Sequence, residues 1–233
     1  DQFAVRSFFA KNTPDQVYLA AAKVGDPLNG SPQPAELIYD NLMLQANVVH
    51  AAFRTGVKQL LFLGCRGGHD RLTEEPFAVA KKAGIKICES YNRQYGQSHG
   101  IDYRSLMSCS LYGPGGRSPA LMDLMRWLHQ AKLAGASEVV LPGSSAPEHE
   151  YLYVDDMAKA CIQVMGLPKE HYATATSPLR SHMEVGSGTH CTRAELARAV
   201  AAAVGYRGAI RFETDVPEGP PPQLTDSHRL RRH

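Results

Sequence analysis

The sequence has little of what marks a secreted, membrane or nucleic-acid-binding protein. Its five cysteines are scattered, and no CxxC or Cys/His spacing links them, which argues against a disulfide framework and a zinc site. A net charge of +2 is too small for nucleic acid or a membrane surface to be the main partner. No apolar run approaches the roughly 20 residues of a membrane span, and no signal peptide opens the chain. We therefore expect reduced thiols, a cytoplasmic or other reducing compartment, no membrane insertion and no bound metal.

What the 233 residues do contain is a regular alternation of apolar patterns. Short apolar runs at 16–21, 58–63 and 103–108 are typical of strands buried in a parallel sheet. Helical patterns at about 34–54 and 73–96 lie between them. Strand and helix alternating at this spacing predict an α/β fold, with a parallel sheet flanked by helices and right-handed crossovers.

The second helical pattern carries the most specific chemical signal. Phe77 and Lys81 are four residues apart, so they share one face of the helix. This is the outline of a tyrosine–lysine catalytic pair from which the phenol oxygen is missing. Whether the chain is an enzyme depends largely on that position.

The pattern changes after residue 114. The chain there predicts a helix at 120–133, short strands at 139–141, 151–154, 183–185 and 210–212, and a helix that begins with a capping box of Thr192 and Glu195. We expect a first domain at 1–114 and a smaller one at 115–233, with segments near 151–165 packing back on the first. Arg229, Arg231 and Arg232 are expected to form a solvated basic end.

Several stretches together resemble one family. They are LAAAKVG at 19–25, ESYNRQYG at 89–96, LYGP at 111–114 and YVDDMA at 153–158. In that order they resemble the extended short-chain dehydrogenase/reductases, and within them the GDP-L-fucose synthases. The resemblance implies a Rossmann-like NADP(H)-binding domain whose first βαβ unit would precede Asp1, and a smaller C-terminal α/β domain for a GDP-sugar. It implies the NADPH-dependent epimerisation and reduction of GDP-4-keto-6-deoxy-mannose.

The resemblance also assigns residues and a partner. The cofactor site would include Ala20, Ala21, Lys23, Asn41 and Lys81, and the substrate site would include Ser110, Arg126 and His149. In the family, a serine and a tyrosine bond the keto oxygen of the sugar, while the lysine lowers the tyrosine pKa and holds the nicotinamide ribose. Two helices, 34–54 and 77–96 here, form the usual homodimer face.

The chain departs from the family pattern where the chemistry would occur. Phe77 stands at the tyrosine position, and Arg66 stands at the serine position, or Cys65 if the loop shifts by one residue. His149 replaces the arginine expected near the GDP-sugar. The glycine-rich turn that would bind the pyrophosphate has no counterpart after Asp1, so we expect weak cofactor binding.

Three interpretations remain open. In the first, the chain has lost catalysis and serves in binding or assembly. In the second, it is an active member that uses altered groups, with Cys65 or Cys109 as proton donor and Lys81 as acid. In the third, it is a piece of an active epimerase/reductase that lacks the N-terminus and the active-site loops near 66–75 and 115–119.

Overall fold

The computed structural model describes six stretches of the chain. They are residues 1–24, 33–65, 76–116, 119–145, 148–214 and 225–231. The chain divides into two compact units. Unit 1 comprises Asp1–Cys109, Asp155–Val185 and Asp226–His233, and unit 2 comprises Ser110–Val154 and Gly186–Thr225. The chain thus returns to unit 1 for a longer segment than the 151–165 stretch expected from the sequence.

The helices and strands follow one another in a clear order. The first half of the chain forms α1 (Gln2–Asn12), β1 (Gln16–Leu19), α2 (Pro34–Arg54), β2 (Gln59–Cys65), α3 (Pro76–Tyr95), β3 (Asp102–Ser108) and β4 (Ser110–Tyr112). The second half forms α4 (Pro119–Leu133), β5 (Glu138–Ser144), β6 (Glu148–His149), β7 (Tyr151–Tyr153), α5 (Val154–Gly166), α6 (Lys169–Ala175), β8 (His182–Val185), β9 (Cys191–Thr192), α7 (Arg193–Val204), β10 (Ala209–Thr214) and α8 (His228–Arg231).

Unit 1 is built on a four-stranded parallel sheet. Its strand order is β1-β2-β3-β8, and every neighbouring pair is parallel. Every residue of β3 is buried, because this strand lies inside the sheet and elements cover both of its faces. The predicted parallel α/β architecture is confirmed.

Helix α3 fits closely against the sheet and against α2. The side-chain amide of Gln45 donates to the carbonyl of Ala80 at 2.5 Å, which joins the two helices. Gly84 lies against the Phe62 ring, where a Cβ atom would collide with the ring and with the Gln45 oxygen. The missing side chain at Gly84 is what allows α3 to approach the sheet here.

Unit 2 has a smaller core between a pair of helices and a pair of strands. Strands β5 and β10 are parallel, and α4 and α7 share a buried cluster formed by Leu124, Leu128, Leu141, Ala197, Val200, Ala201 and Tyr206. The predicted capping box begins α7, since Thr192 and Glu195 each bond the backbone of the other. Gly205 ends the helix at φ 76°, a left-handed conformation that glycine adopts without strain.

The structure corrects one expectation and adds elements that the sequence pattern did not reveal. Arg229 is half-buried and donates to the carbonyl of Ala175, and its neighbour Leu230 is buried, so this end is not simply solvated. Arg231 belongs to α8, and Arg232 lies outside the described residues.

The strands β4, β6 and β9 and the helices α6 and α8 were not predicted. None of the helices within the described ranges has the length and hydropathy that a membrane crossing needs.

Candidate functional site

The predicted catalytic helix places Lys81 at the carboxyl-end edge of the sheet in unit 1, where ligands of parallel α/β folds bind. The side chain runs from α3 towards the end of β2, and Lys81 is only 5% exposed. Its Nζ donates to the carbonyl oxygen of Leu63 at 2.9 Å. The ammonium is therefore engaged by the backbone of the strand that ends at Cys65.

Two aromatic rings accompany this amine. The Lys81 Nζ lies 4.9 Å from the centroid of the Phe62 ring and 5.8 Å from that of Phe77. Both distances lie within the range of a cation–π contact. The spacing predicted that Phe77 and Lys81 would meet on one face, and the structure places them together. Phe77 offers the amine a ring face and has no oxygen that could exchange a proton.

The electrostatic surroundings of Lys81 disfavour its charged form. Burial lowers the pKa of Lys81, whereas the nearby Cys65 raises it by a smaller amount. Of the other predicted catalytic positions, Phe77 and Cys65 lie near this amine, and Arg66 lies outside the described residues. A thiol beside a buried amine can carry a proton.

The predicted cofactor residues of β1 and α2 also lie in unit 1. Asn41 is buried, and its side chain accepts from the Lys23 backbone N–H at 3.0 Å and donates to the Lys23 carbonyl at 2.8 Å. The ammonium of Lys23 pairs with Asp40 at 2.5 Å. Ala20 and Ala21 are exposed just beyond β1. Asn41 thus fixes a small-residue segment at the carboxyl end of the first strand.

The predicted substrate residues all lie in unit 2. Ser110 begins β4, and Arg126 lies on the exposed side of α4, where its guanidinium pairs with Asp123 at 3.2 Å. His149 lies in β6, opposite Cys191 of β9. Partial burial, together with the nearby charges of Arg193 and His190, lowers the pKa of His149. His149 is therefore a neutral hydrogen-bonding group at pH 7 and not the fixed cation that an arginine would be.

Unit 2 also contains a buried carboxylate that the sequence did not predict. Glu150 accepts from the backbone N–H of Gly188 and that of Thr225, each at 2.9 Å, and from the Thr225 hydroxyl. Burial raises the pKa of Glu150, but these hydrogen bonds outweigh it and the net shift is downward. Glu150 lies between β6 and β7, and no motif in the sequence marks it. Glu150 ties residues about 40 and 75 positions away in the chain, which no local pattern reveals.

In the stretches that the structure describes, no three His, Cys, Asp or Glu side chains are grouped so that they could hold a metal ion. Among the predicted site residues that the structure describes, unit 1 offers one amine and one thiol, and unit 2 offers a hydroxyl, a guanidinium and an imidazole.

Known proteins give this arrangement a context. Residues 1–175 match the family described as the NAD dependent epimerase/dehydratase family. The GDP-L-fucose synthase of Escherichia coli (strain K12) is 44% identical over 252 aligned residues, which cover 99% of this chain and 77% of that protein. GDP-L-fucose synthase 1 of Arabidopsis thaliana is 38% identical over 251 residues, which cover 98% and 74% of the two chains.

Solved structures agree with the fold. A GDP-mannoheptose C4 reductase from Campylobacter jejuni with NADP bound has a TM-score of 0.78 at 29% identity, and the match covers 92% of this chain and 74% of that one. A GDP-L-fucose synthetase from Naegleria fowleri bound to NADP has a TM-score of 0.83 at 19% identity, with 100% and 74% covered. At that identity the second likeness concerns the fold alone. The predicted Rossmann-like fold is confirmed.

Proposed function

This chain belongs to the NAD dependent epimerase/dehydratase family, and on that premise we propose that it is a GDP-L-fucose synthase-like protein that has lost catalysis and serves a binding or assembly role. One observation carries the proposal. The ring of Phe77 faces the ammonium of Lys81 at 5.8 Å, at the position where the family resemblance puts the phenol of a tyrosine.

The loss of that phenol removes the group that would exchange a proton with the sugar keto oxygen. General acid–base catalysis by one positioned side chain contributes about 10²–10⁴ in rate. The remaining amine does not compensate in this geometry, because Lys81 is covered and donates to the Leu63 carbonyl. That bond uses one of the three N–H donors of the ammonium, so it does not by itself prevent Lys81 from holding a ribose hydroxyl.

Ligand binding can survive the loss of chemistry. The small exposed side chains of Ala20 and Ala21, with Lys23 held by Asn41, fit one edge of an NADP(H) site, and we assign Lys81 to the same site, as the resemblance implies. When bound, NADPH would supply a hydride. In unit 2 we assign Ser110, Arg126 and His149 to the recognition of a GDP-sugar, as the resemblance implies.

We further propose that the chain assembles as a homodimer through the helices at 34–54 and 77–96. Both helices are intact, and large apolar side chains remain exposed on them, namely Tyr39 and Met43 on α2 and Val79 on α3. A binding or assembly role needs this face, whereas it does not need the phenol.

The alternative is an active nucleotide-sugar epimerase/reductase whose N-terminus and active-site loops lie outside this sequence. The electrostatic interaction between Cys65 and Lys81 favours it, since a thiol near an amine of lowered pKa is a feature of functional sites. If the chain were instead active through altered groups, Cys65 or Cys109 would be the proton donor and Lys81 the acid.

Turnover by the full-length protein separates the two, because the alternative places the N-terminus and the active-site loops outside this sequence. We expect the protein, given NADPH and GDP-4-keto-6-deoxy-mannose, to oxidise NADPH no faster than its Lys81→Met and Cys65→Ala variants, while millimolar GDP raises its thermal midpoint. Phe77→Tyr, which returns a phenol to the same helix face, is the informative comparison. A wild-type rate above background that either variant abolishes would establish the enzyme instead. Absence of any thermal shift with GDP or NADPH would remove the ligand-binding part of the proposal.

A further inference from the structure

A second concave site lies in unit 1, at the amino-end edge of the sheet. It is a pocket of about 240 Å³ between the last turns of α3, the start of β3 and the helix α6 with the turn that follows it. Asp102, the first residue of β3, lines it, whereas Cys65 and the Leu63 carbonyl lie at the carboxyl end of the neighbouring strand. The pocket is therefore separate from the candidate site around Lys81.

The floor of this pocket is rigid without a ligand. Tyr172 is buried, and its hydroxyl bonds the Ser181 carbonyl at 2.6 Å and the Ser105 backbone N–H at 3.1 Å. The Arg104 guanidinium lies over the Tyr172 ring at 4.9 Å and pairs with Asp102 at 2.5 Å. Side chains already fixed in place lose little entropy when a ligand binds.

The charges around the pocket do not cancel. Of the two acids that line it, Asp102 is neutralised by Arg104, and Glu89 pairs with Lys86 at 3.0 Å. The two lining cations, Arg93 and Lys169, belong to none of the ion pairs among the described residues. Two uncompensated positive charges therefore face one small space, which favours a doubly charged anion.

The geometry of the cations suits a phosphate group. The ammonium of Lys169 donates to the carbonyls of Ile101 at 3.1 Å and Gly96 at 3.3 Å, which hold it at the wall and leave one N–H to donate. The guanidinium of Arg93 presents a planar fork of donors that matches phosphate oxygens. Ser181 also lines the pocket, and its buried hydroxyl has no hydrogen-bond partner among the described residues.

We propose that this pocket binds a small phosphate monoester, held by Arg93 and Lys169, with its carbon body against the apolar wall around Ile101 and Tyr172. Its volume is below the roughly 300–1,000 Å³ of sites for drug-sized ligands, so a whole dinucleotide or nucleotide sugar does not fit. The inference is independent of the function proposed for the other end of the sheet.

The test is to titrate the full chain with glycerol 3-phosphate and to monitor binding by calorimetry and by backbone amide NMR. We expect saturable binding, shifts at Gly96, Ile101 and Ala173, and an affinity about tenfold or more weaker in Arg93→Gln and in Lys169→Gln. Arg54→Gln is the matched control, because Arg54 is also exposed in unit 1 and does not line the pocket. Thermal midpoints of all variants establish that they are folded.

The remaining outcomes overturn the proposal. No saturable binding at 10 mM ligand would exclude the site, and equal affinity in wild type and in both pocket variants would place the phosphate elsewhere. Inorganic phosphate that binds as tightly as glycerol 3-phosphate would exclude a role for the carbon body. These results do not depend on whether the chain binds GDP or NADPH. Failure of this proposal can therefore be distinguished from failure of the proposed function.

Discussion

Lys81 and Glu150 are both buried and charged, but the fold treats the two charges differently. Glu150 receives three hydrogen bonds and its pKa is lowered, which for an acid means that the charged form is stabilised. The pKa of Lys81 is also lowered, which for a base means that burial penalises the charged form. The Glu150 charge thus supports the fold of unit 2. The Lys81 charge costs stability, as residues placed for function often do.

Replacing Glu150 tests the first half of this contrast. We expect Glu150→Gln to lower the free energy of unfolding by about 1–3 kcal/mol at pH 7, because the amide leaves buried donors without an acceptor. The folded pKa of Glu150 lies below its ordinary value, so this stabilisation is complete above the unfolded pKa and is lost as pH falls through the folded pKa. Urea unfolding at pH 7 and at pH 3 measures the difference. Glu36→Gln, at an exposed position of α2, is the control.

A difference between wild type and Glu150→Gln that stays constant from pH 7 to pH 3 would contradict this account. It would mean that packing around Thr225, and not the carboxylate charge, holds the segment in place.

The sequence could predict the Lys81 site only in part. The helical period places Phe77 and Lys81 on one face, so their meeting follows from residues four apart. The acceptor of the amine is the Leu63 carbonyl, a backbone atom of another element, and no spacing pattern encodes it. The same holds for Glu150, whose partners Gly188 and Thr225 become neighbours only through tertiary folding.

At the scale of elements, α3 shows how a single small residue determines a close packing distance. We expect Gly84→Ala to destabilise the protein by about 1–3 kcal/mol, because the new methyl group collides with the Phe62 ring and the Gln45 side chain. Alanine favours a helix over glycine by about 1 kcal/mol, so the expected sign is opposite to that of helix propensity. Chemical denaturation measures the change.

A matched control lies at the end of α5. Gly166 has no atom within 4 Å of its would-be Cβ, so Gly166→Ala should leave stability unchanged or raise it slightly. If both alanine variants behaved alike, the close approach of α3 to the sheet would not be what requires glycine.

The elements that the sequence predicted well are those with long periodic patterns. Helix α2 begins and ends at the predicted residues, since Pro34 starts a 21-residue amphipathic stretch. The strands β6 and β9 have two residues each, too few for alternation to be visible, and they form only because the chain brings them together. Helix α6 has seven residues and was missed for the same reason.

At the scale of the whole molecule, the sequence predicted a return of the chain near 151–165 to the first domain, but not which distant strands pair. Strand β8 completes the sheet of unit 1 beside β3, although unit 2 segments lie between them in the chain. Such long-range pairing depends on which sheet edges and apolar helix faces are still exposed after the local elements form. A local sequence pattern does not contain this information.

Unburied apolar faces also bear on the proposed homodimer. Tyr39 and Met43 lie one turn apart on α2 and are 62% and 39% exposed, and Val79 on α3 is 40% exposed. The hydrogen bond from Gln45 to Ala80 joins the two helices beside these side chains. We propose that a second copy of the chain buries these three exposed apolar side chains.

We therefore expect light scattering after size exclusion to give twice the 25.5 kDa mass of the chain at micromolar concentration. Tyr39→Glu combined with Met43→Glu should give the monomer with little loss of fold, because buried carboxylates at the interface would lack partners while both positions are exposed within one chain. Leu133→Glu, at a residue 73% exposed on α4, should leave the dimer intact. A monomeric wild-type chain would rule out the homodimer. A dimer that persists in the double variant would show that Tyr39 and Met43 do not lie in the interface.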